Sequence, residues 1–217
     1  MIKYIIAIFI SAVISYLLGS CNSSIITVKL LKGEDIRKFG SGNAGLTNTL
    51  RCFGKLPALF TLIGDLLKGV IAVFICKFIC TLLDAGIGLD GDIRYIGYIA
   101  GLFAVIGHIF PVYYGFKGGK GVLVGVSVFL VIDPAVFGIL IFIFAVTLIL
   151  THYVSVSSIT ASVCCPIVTF LMRYFIEGIS IEISIIHTLL TLPICILIIC
   201  MHKSCLLYTS DAADEAR

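Results

Sequence analysis

Charge is what this sequence has least of. Lysine, arginine, aspartate and glutamate make up 12% of the 217 residues, and 60% are hydrophobic; a soluble domain is about 25% charged. So few ionic groups cannot cover a globule in water, so most of the chain must face hydrocarbon. The net charge of +3 is too small to point to nucleic acid, and no such partner is expected.

Other absences narrow the chemistry. The nine cysteines are odd in number, form no C-x-x-C, and mostly lie inside apolar runs, so they read as small buried hydrophobes. No His/Cys/Asp cluster has metal-ligand spacing, no carboxylate pair stands out as an acid/base couple, and there is no G-x-S-x-G elbow. Neither a metal nor a cofactor is expected. The apolar run from Met1 to Leu18 has one lysine, Lys3, and no A-x-A cleavage pattern, so it reads as a retained first helix.

What the chain does have is long apolar runs. About 20 helical residues cross the ~30 Å of bilayer hydrocarbon, and such runs fall near 3–20, 56–83, 94–114, 135–152, 154–175 and 183–201. A shorter piece at 121–132 reaches only ~18 Å as a helix and stops at the breaker Asp133-Pro134. Charge decides how to count it. Lys29, Lys32, Arg37, Lys38, Arg51 and Lys55 cluster in one link, Lys117 and Lys120 in another, and Lys203 lies in the tail; Asp84, Asp90 and Asp92, then Glu177 and Glu182, mark the links between. Basic residues concentrate on the cytoplasmic side. Seven spans put all three basic regions on one face, which predicts an all-α integral membrane protein with its N-terminus outside and C-terminus in the cytoplasm. Asp65 and Lys68 remain inside a span, three residues apart on one helical face, and so turned toward protein or water. A packing ion pair and a part in the site are both open for them.

Three polar stretches fall on the expected cytoplasmic face. The first, GSGNAGLTNTLR at 40–51, spells G-x-G-x-x-G, yet a dinucleotide fingerprint needs a preceding strand and a βαβ unit. What precedes it here is a membrane helix. Its glycines suit a backbone nest whose N–H groups hold an anion. Ser41, Asn43, Thr47 and Asn48 add donors, and Thr47 or Asn48 suits the cap of a short helix carrying Arg51. A flexible link is the alternative. The second stretch, GHIFPVYYGFKGGKG at 107–121, sets Lys117 and Lys120 around Gly118-Gly119, with Gly121 following. It lacks the spacing of a Walker A loop but offers a nest and two cations to a phosphate; ordinary flanking charge is the other reading of the lysines. His108 there is either a substrate contact or a structural residue. The third, THYVSVSS at 151–158, holds Ser155, Ser157 and Ser158, as donors or as helix-start residues, and Met201-His202-Lys203-Ser204 closes the last span. Together they suit phosphorylated substrates close to lipid, bound and stabilised by donors and cations.

With these motifs the chain resembles the bacterial acyl-phosphate:glycerol-3-phosphate acyltransferases, the PlsY family. The likeness runs from YLLGS (16–20) through DIRKFGSGNAGLTNTLR and GDLLKG (64–69) to GHIFPVYYGFKGGKGV and YVSVSS. It implies seven helices, and transfer of a fatty acyl group from acyl-phosphate to the 1-position of sn-glycerol 3-phosphate, without metal or acyl-CoA. It implies Arg51, Lys117 and His202 as catalytic residues. Ser41, Gly42, Asn43, Gly45, Thr47, Asn48, His108, Gly118, Gly119, Lys120, Gly121 and Ser155 would contact substrate or phosphate. The implied partners are acyl-phosphate, glycerol 3-phosphate, membrane lipid and the peripheral enzyme that makes acyl-phosphate, in the bacterial inner membrane. Residues 1–204 would form one domain. Beyond it the pattern departs: Cys205 stands where the family has Asn, His152 where it often has Arg, and the acidic LLYTSDAADEAR is unrelated. The expectation is that 205–217 replaces the native tail and removes part of the site. Two rival readings are weaker. A transporter of phosphorylated solutes would place its site near the midplane, often with inverted repeats, and no repeat is seen. An acyl-CoA-dependent enzyme would usually carry His-x-x-x-x-Asp, which none of the four histidines begins.

Overall fold

A computed structural model describes residues 2–83, 85 and 92–202, all of them helix, turn or link. Of the expectations above, those on Asp84, Asp90, Lys203, Ser204, Cys205 and the rest of the tail lie outside these residues. The chain divides into two compact units, Met1–Val131 and Ile132–Arg217.

The first unit is built on α1 (Ile2–Ser20), α4 (Lys55–Leu82) and α5 (Ile93–Ile109), which pack on one another. Hydrophobicity alone does not hold helices together in lipid, so small residues that let backbones approach matter more. Gly107 of α5 supplies one such approach: a Cβ there would lie 2.2 Å from the Tyr16 carbonyl oxygen of α1. Gly19 supplies the reciprocal one, 2.1 Å from the Ala104 carbonyl oxygen. The short helices α2 (Ser23–Lys32) and α3 (Leu46–Phe53) pack against α4. The 11-residue α6 (Val122–Ile132) approaches α4 where Gly69 meets Ser127, and α5 where Gly101 meets Val128.

The second unit is a run of α7 (Pro134–Thr151), α8 (Val154–Leu171) and α9 (Ile181–Met201), with α8 packed against both neighbours. Asp133 caps α7, accepting the Val136 amide at 3.1 Å, ahead of Pro134 at the first helical position. The carboxylate also pairs with Arg173, a fully buried guanidinium in the π-helical turn Met172–Ile176, and Arg173 pairs in turn with Glu177. A buried cation survives only when paired like this.

Six segments are long and apolar enough to cross a membrane: Ile2–Lys32, Lys55–Leu82, Arg94–Tyr114, Pro134–Thr151, Val154–Ile176 and Ile181–Met201, with Val122–Ile132 as a shorter apolar helix. Each matches an apolar run read from the sequence. One boundary differs. Lys29 and Lys32, read as part of a link, lie on α2, which runs on from α1 after a break at Cys21-Asn22. Asn22 makes the break: its Oδ1 accepts the Ile25 amide at 3.1 Å and so starts a new helix.

Candidate active site

The two glycine-rich stretches meet in the first unit. Gly40 and Gly42 both have positive φ (56° and 72°), a backbone region that costs glycine little. They turn the chain so that Ala44 meets the second stretch, its amide donating to the Gly118 carbonyl at 3.4 Å. The same join leaves no room for a side chain at Gly119, where a Cβ would lie 2.6 Å from the Ala44 carbonyl oxygen and 2.1 Å from Nε2 of His108.

The nest expected in each stretch is not what the glycines build. The Ser41 amide donates to Asn48 Oδ1 at 3.2 Å. The Gly42 amide donates to Phe39 and the Gly45 amide to Asn43, while those of Gly118 and Gly119 donate to Ile109 and His108. Amides already paired in this way hold the loops in shape. The glycines here serve tight turning and close approach.

A second correction concerns the short helix. Neither Thr47 nor Asn48 caps α3; Gly45 holds that position, and both polar residues lie inside the helix. Asn48 is 2% exposed and works inward. Besides accepting from Ser41, its Nδ2 donates to the Phe39 and Asn43 carbonyls, both at 3.0 Å. Thr49 donates to the Gly45 carbonyl and meets Ser24 of α2 at 2.6 Å. With its amphipathic order inverted, α3 buries Asn48 and Thr49 and exposes Leu50 and Arg51. Arg51 and Lys117 are exposed, Lys120 is half-buried, and Ser41, Asn43 and Thr47 stay accessible.

Four residues beyond those expected to contact substrate, Asn22, Arg37, Asp65 and Lys68, anchor one or other of the two stretches. Asn22 donates from Nδ2 to the Ala44 carbonyl at 3.2 Å, so the residue that breaks α1 from α2 also anchors the first loop. Arg37 grips Asp35 through Nε and Nη2, the latter at 2.7 Å, and reaches with Nη1 to the Tyr114 carbonyl at 2.6 Å and that of Lys117 at 3.4 Å. Lys68 and Asp65 form a buried pair at 2.9 Å. Lys68 Nζ also meets His108 Nδ1 at 2.8 Å and the carbonyls of Gly19 and Cys21 at 3.2 and 3.3 Å. The i,i+3 spacing of Asp65 and Lys68 was a visible signal; their partner His108, 40 residues on, was not.

The Asp35–Arg37 grip also sets a pH range. The hydrogen bond from Arg37 holds the Asp35 carboxyl below its ordinary value of 3.8, against the opposing effect of burial. A depressed carboxylate contributes fully above its unfolded value and loses that contribution only as pH falls through the lower folded value. The tie from Arg37 to Tyr114 and Lys117 is therefore expected to be constant from about pH 8 down to about pH 5. Protease nicking within 33–45, timed across that range, is the check; a marked rise in nicking by pH 5 would contradict it.

Ser155 and His202 belong to the second unit. Ser155 is buried in the first turn of α8. His202 follows α9, nearly buried, with Nδ1 2.8 Å from the Ile198 carbonyl oxygen. Only a ring N–H can donate there, so the neutral ring carries its proton on Nδ1.

Comparison with known proteins agrees with these features. Residues 9–208 match the family described as glycerol-3-phosphate acyltransferase. A protein of that name from Staphylococcus saprophyticus is 40% identical over 183 residues, covering 82% of this chain and 88% of its own. One from Clostridioides difficile is 39% identical over 169 residues, covering 78% and 80%. The crystal structure of PlsY (YgiH), an integral membrane glycerol 3-phosphate acyltransferase in its glycerol 3-phosphate form, superposes with a TM-score of 0.73 at 30% identity, covering 94% of this chain and 92% of that one. Its lysophosphatidic acid form gives 0.71 at 28%, with the same coverage. By sequence and by fold alike, this chain belongs to the glycerol-3-phosphate acyltransferase family.

Proposed function

We propose that this protein transfers a fatty acyl group from acyl-phosphate to the 1-position of sn-glycerol 3-phosphate. The observation that carries the reading is the joined pair of loops, Ala44 to Gly118, with Arg51 and Lys117 both exposed on them. Both substrates are anions, and two cationic arms on joined loops suit two phosphates. The glycerol 3-phosphate and lysophosphatidic acid forms of the related structure agree with an acceptor and a product of this kind.

The chemistry asks little of the protein. An acyl-phosphate is a mixed anhydride with a stable leaving group. The glycerol hydroxyl oxygen attacks the acyl carbon, the bond from that carbon to the phosphate oxygen breaks, and phosphate leaves. The hydroxyl proton passes to a substrate's own phosphate or, in the role that the family's third motif implies, to His202. Arg51 with Ser41, Asn43 and Thr47 holds one phosphate, and Lys117 with Lys120 the other. Holding the reactants aligned and stabilising the developing charge supply the rate. In this reading Gly42, Gly45, Asn48, His108, Gly118, Gly119 and Gly121 shape the loops, and Ser155 keeps the substrate-donor role that the family motif implies.

The setting follows from charge. Reading α6 as a seventh crossing puts the basic links on one face, so the N-terminus is outside and the loops face the cytoplasm of a bacterial inner membrane. Residues 1–204 act as one acyltransferase domain, with 205–217 outside it. Acyl-phosphate arrives from a peripheral enzyme that makes it.

Membranes holding this chain, given glycerol 3-phosphate with either acyl-phosphate or acyl-CoA, test the reading. Lysophosphatidic acid and phosphate are expected from acyl-phosphate alone. Product only from acyl-CoA, or uptake of glycerol 3-phosphate into vesicles without acylation, would overturn it.

A further inference from the structure

Beneath the joined loops lies a cluster that phosphate binding does not use. Lys68 of α4 has three hydrogens and four acceptors within reach: Asp65 Oδ1, the carbonyls of Gly19 and Cys21, and Nδ1 of His108. The two carbonyls lie at the C-terminal end of α1, where helical oxygens have no partner of their own and negative partial charge collects. The Lys68 ammonium is held by a carboxylate and two carbonyls. It therefore donates to Nδ1, and a ring that accepts there is neutral with its proton on Nε2. Nε2 lies against Gly119, close enough that a Cβ on that residue would come within 2.1 Å of it, with the Ala44 carbonyl oxygen across the same gap. The His108 carbonyl in turn accepts the Gly119 amide at 3.1 Å.

From this juxtaposition we infer that Asp65, Lys68 and His108 are positioning residues for acyl transfer. Lys68 fixes the ring as the Nε2–H tautomer, and the ring sets the register of the Gly118-Gly119 segment against Ala44. The register decides where Lys117 stands relative to Arg51, and so whether two bound phosphates bring hydroxyl and acyl carbon into line. None of the three residues need touch substrate, since His108 is only 3% exposed and Asp65 and Lys68 are buried beneath it. The tautomer follows from the Lys68 contact whatever the role of the cluster; a loss of kcat with little change in KM in a folded variant is what separates positioning from packing. The effect on rate rests on the acyl-transfer reading above; the tautomer does not.

The experiment separates the two. Protein labelled with ¹⁵N in histidine is examined by NMR in detergent without substrate, and the His108→Gln variant assigns the ring. An unprotonated Nδ1 and a protonated Nε2 are expected in the unmodified protein, and this signature is expected to vanish in Lys68→Met. A protonated Nδ1 on His108 in the unmodified protein would overturn the inference. In the acyl-phosphate assay Lys68→Met is expected to lose about 10–100-fold in kcat, the scale of a misplacement near 1 Å, with much smaller changes in either KM. If Lys68→Met does not fold, His108→Asn, which keeps an acceptor for Lys68 but lacks Nε2–H, is expected to show the same kcat loss. Unchanged kcat in a folded variant would equally overturn the inference. An inactive parent protein with the expected tautomer would count against the acyl-transfer reading alone.

Discussion

Replacing Arg51 with alanine is expected to cut phosphate release from acyl-phosphate, in the presence of glycerol 3-phosphate, by about 100-fold or more. That is the scale on which one preorganised donor stabilises developing charge. The structure makes this a clean test, because Arg51 is exposed on α3 and forms no hydrogen bond or ion pair within the described residues. Its removal leaves the Asn48 clamp and the Ala44–Gly118 join intact, so a fall in rate reads as lost substrate contact. Arg51→Lys is expected to recover part of the rate, since it keeps the charge and loses the planar fork that matches phosphate. Near-normal release by Arg51→Ala in membranes would remove this residue from the mechanism, and with it half of the two-phosphate scheme.

The second large effect is on the fold. Gly107→Ala is expected to destabilise the first unit by about 1–3 kcal/mol, the usual cost of overpacking a tight contact. The added Cβ would meet the Tyr16 carbonyl oxygen at 2.2 Å and the Ser20 amide nitrogen at 2.8 Å, and neither backbone atom can swing aside as a side chain would. Gly138→Ala is the matched control. It too lies within a helix, and its Cβ meets nothing within 4 Å, so the change is expected to be neutral or slightly favourable through helix propensity. Thermal unfolding of both variants in the same detergent checks the pair. Equal midpoints would mean that α1 and α5 do not rest on each other as closely as described.

How far the sequence reveals such features depends on their distance along the chain. The apolar runs mark the spans to within a few residues, because the bilayer demands length and hydrophobicity from each helix separately. Asp133-Pro134 foretells its own helix start in the same local way. The two glycine stretches were recognisable as one functional region, but their inner workings were not. Nothing in GSGNAGLTN says that its amides are consumed within the protein, or that Asn48 turns inward while Leu50 turns out. Those facts depend on the loop folding back on its own helix, where Phe39, Ser41 and Asn43 meet Asn48, and on Ser24 of α2 meeting Thr49. The ties that matter most span greater separations still: Arg37 reaches Tyr114 across 77 positions, Lys68 reaches Gly19 across 49, and Asn22 reaches Ala44 across 22. A single sequence carries no periodic signal for pairs so far apart. Asp65 and Lys68 came halfway, marked as a pair by spacing while the ring they serve stayed hidden.

The break at Cys21-Asn22 has a mechanical consequence. Lys68 holds two carbonyls on the α1 side of it, that of Gly19 within α1 and that of Cys21 at the break itself. A corner held by Lys68 on its α1 side and capped by Asn22 at its apex behaves as a bracket and not as a free hinge. The end of α1 is tied through Lys68 to the longer α4. Asn22, at the apex, carries Ala44 on that bracket. The first loop thus takes its position from the helix frame that Lys68 holds.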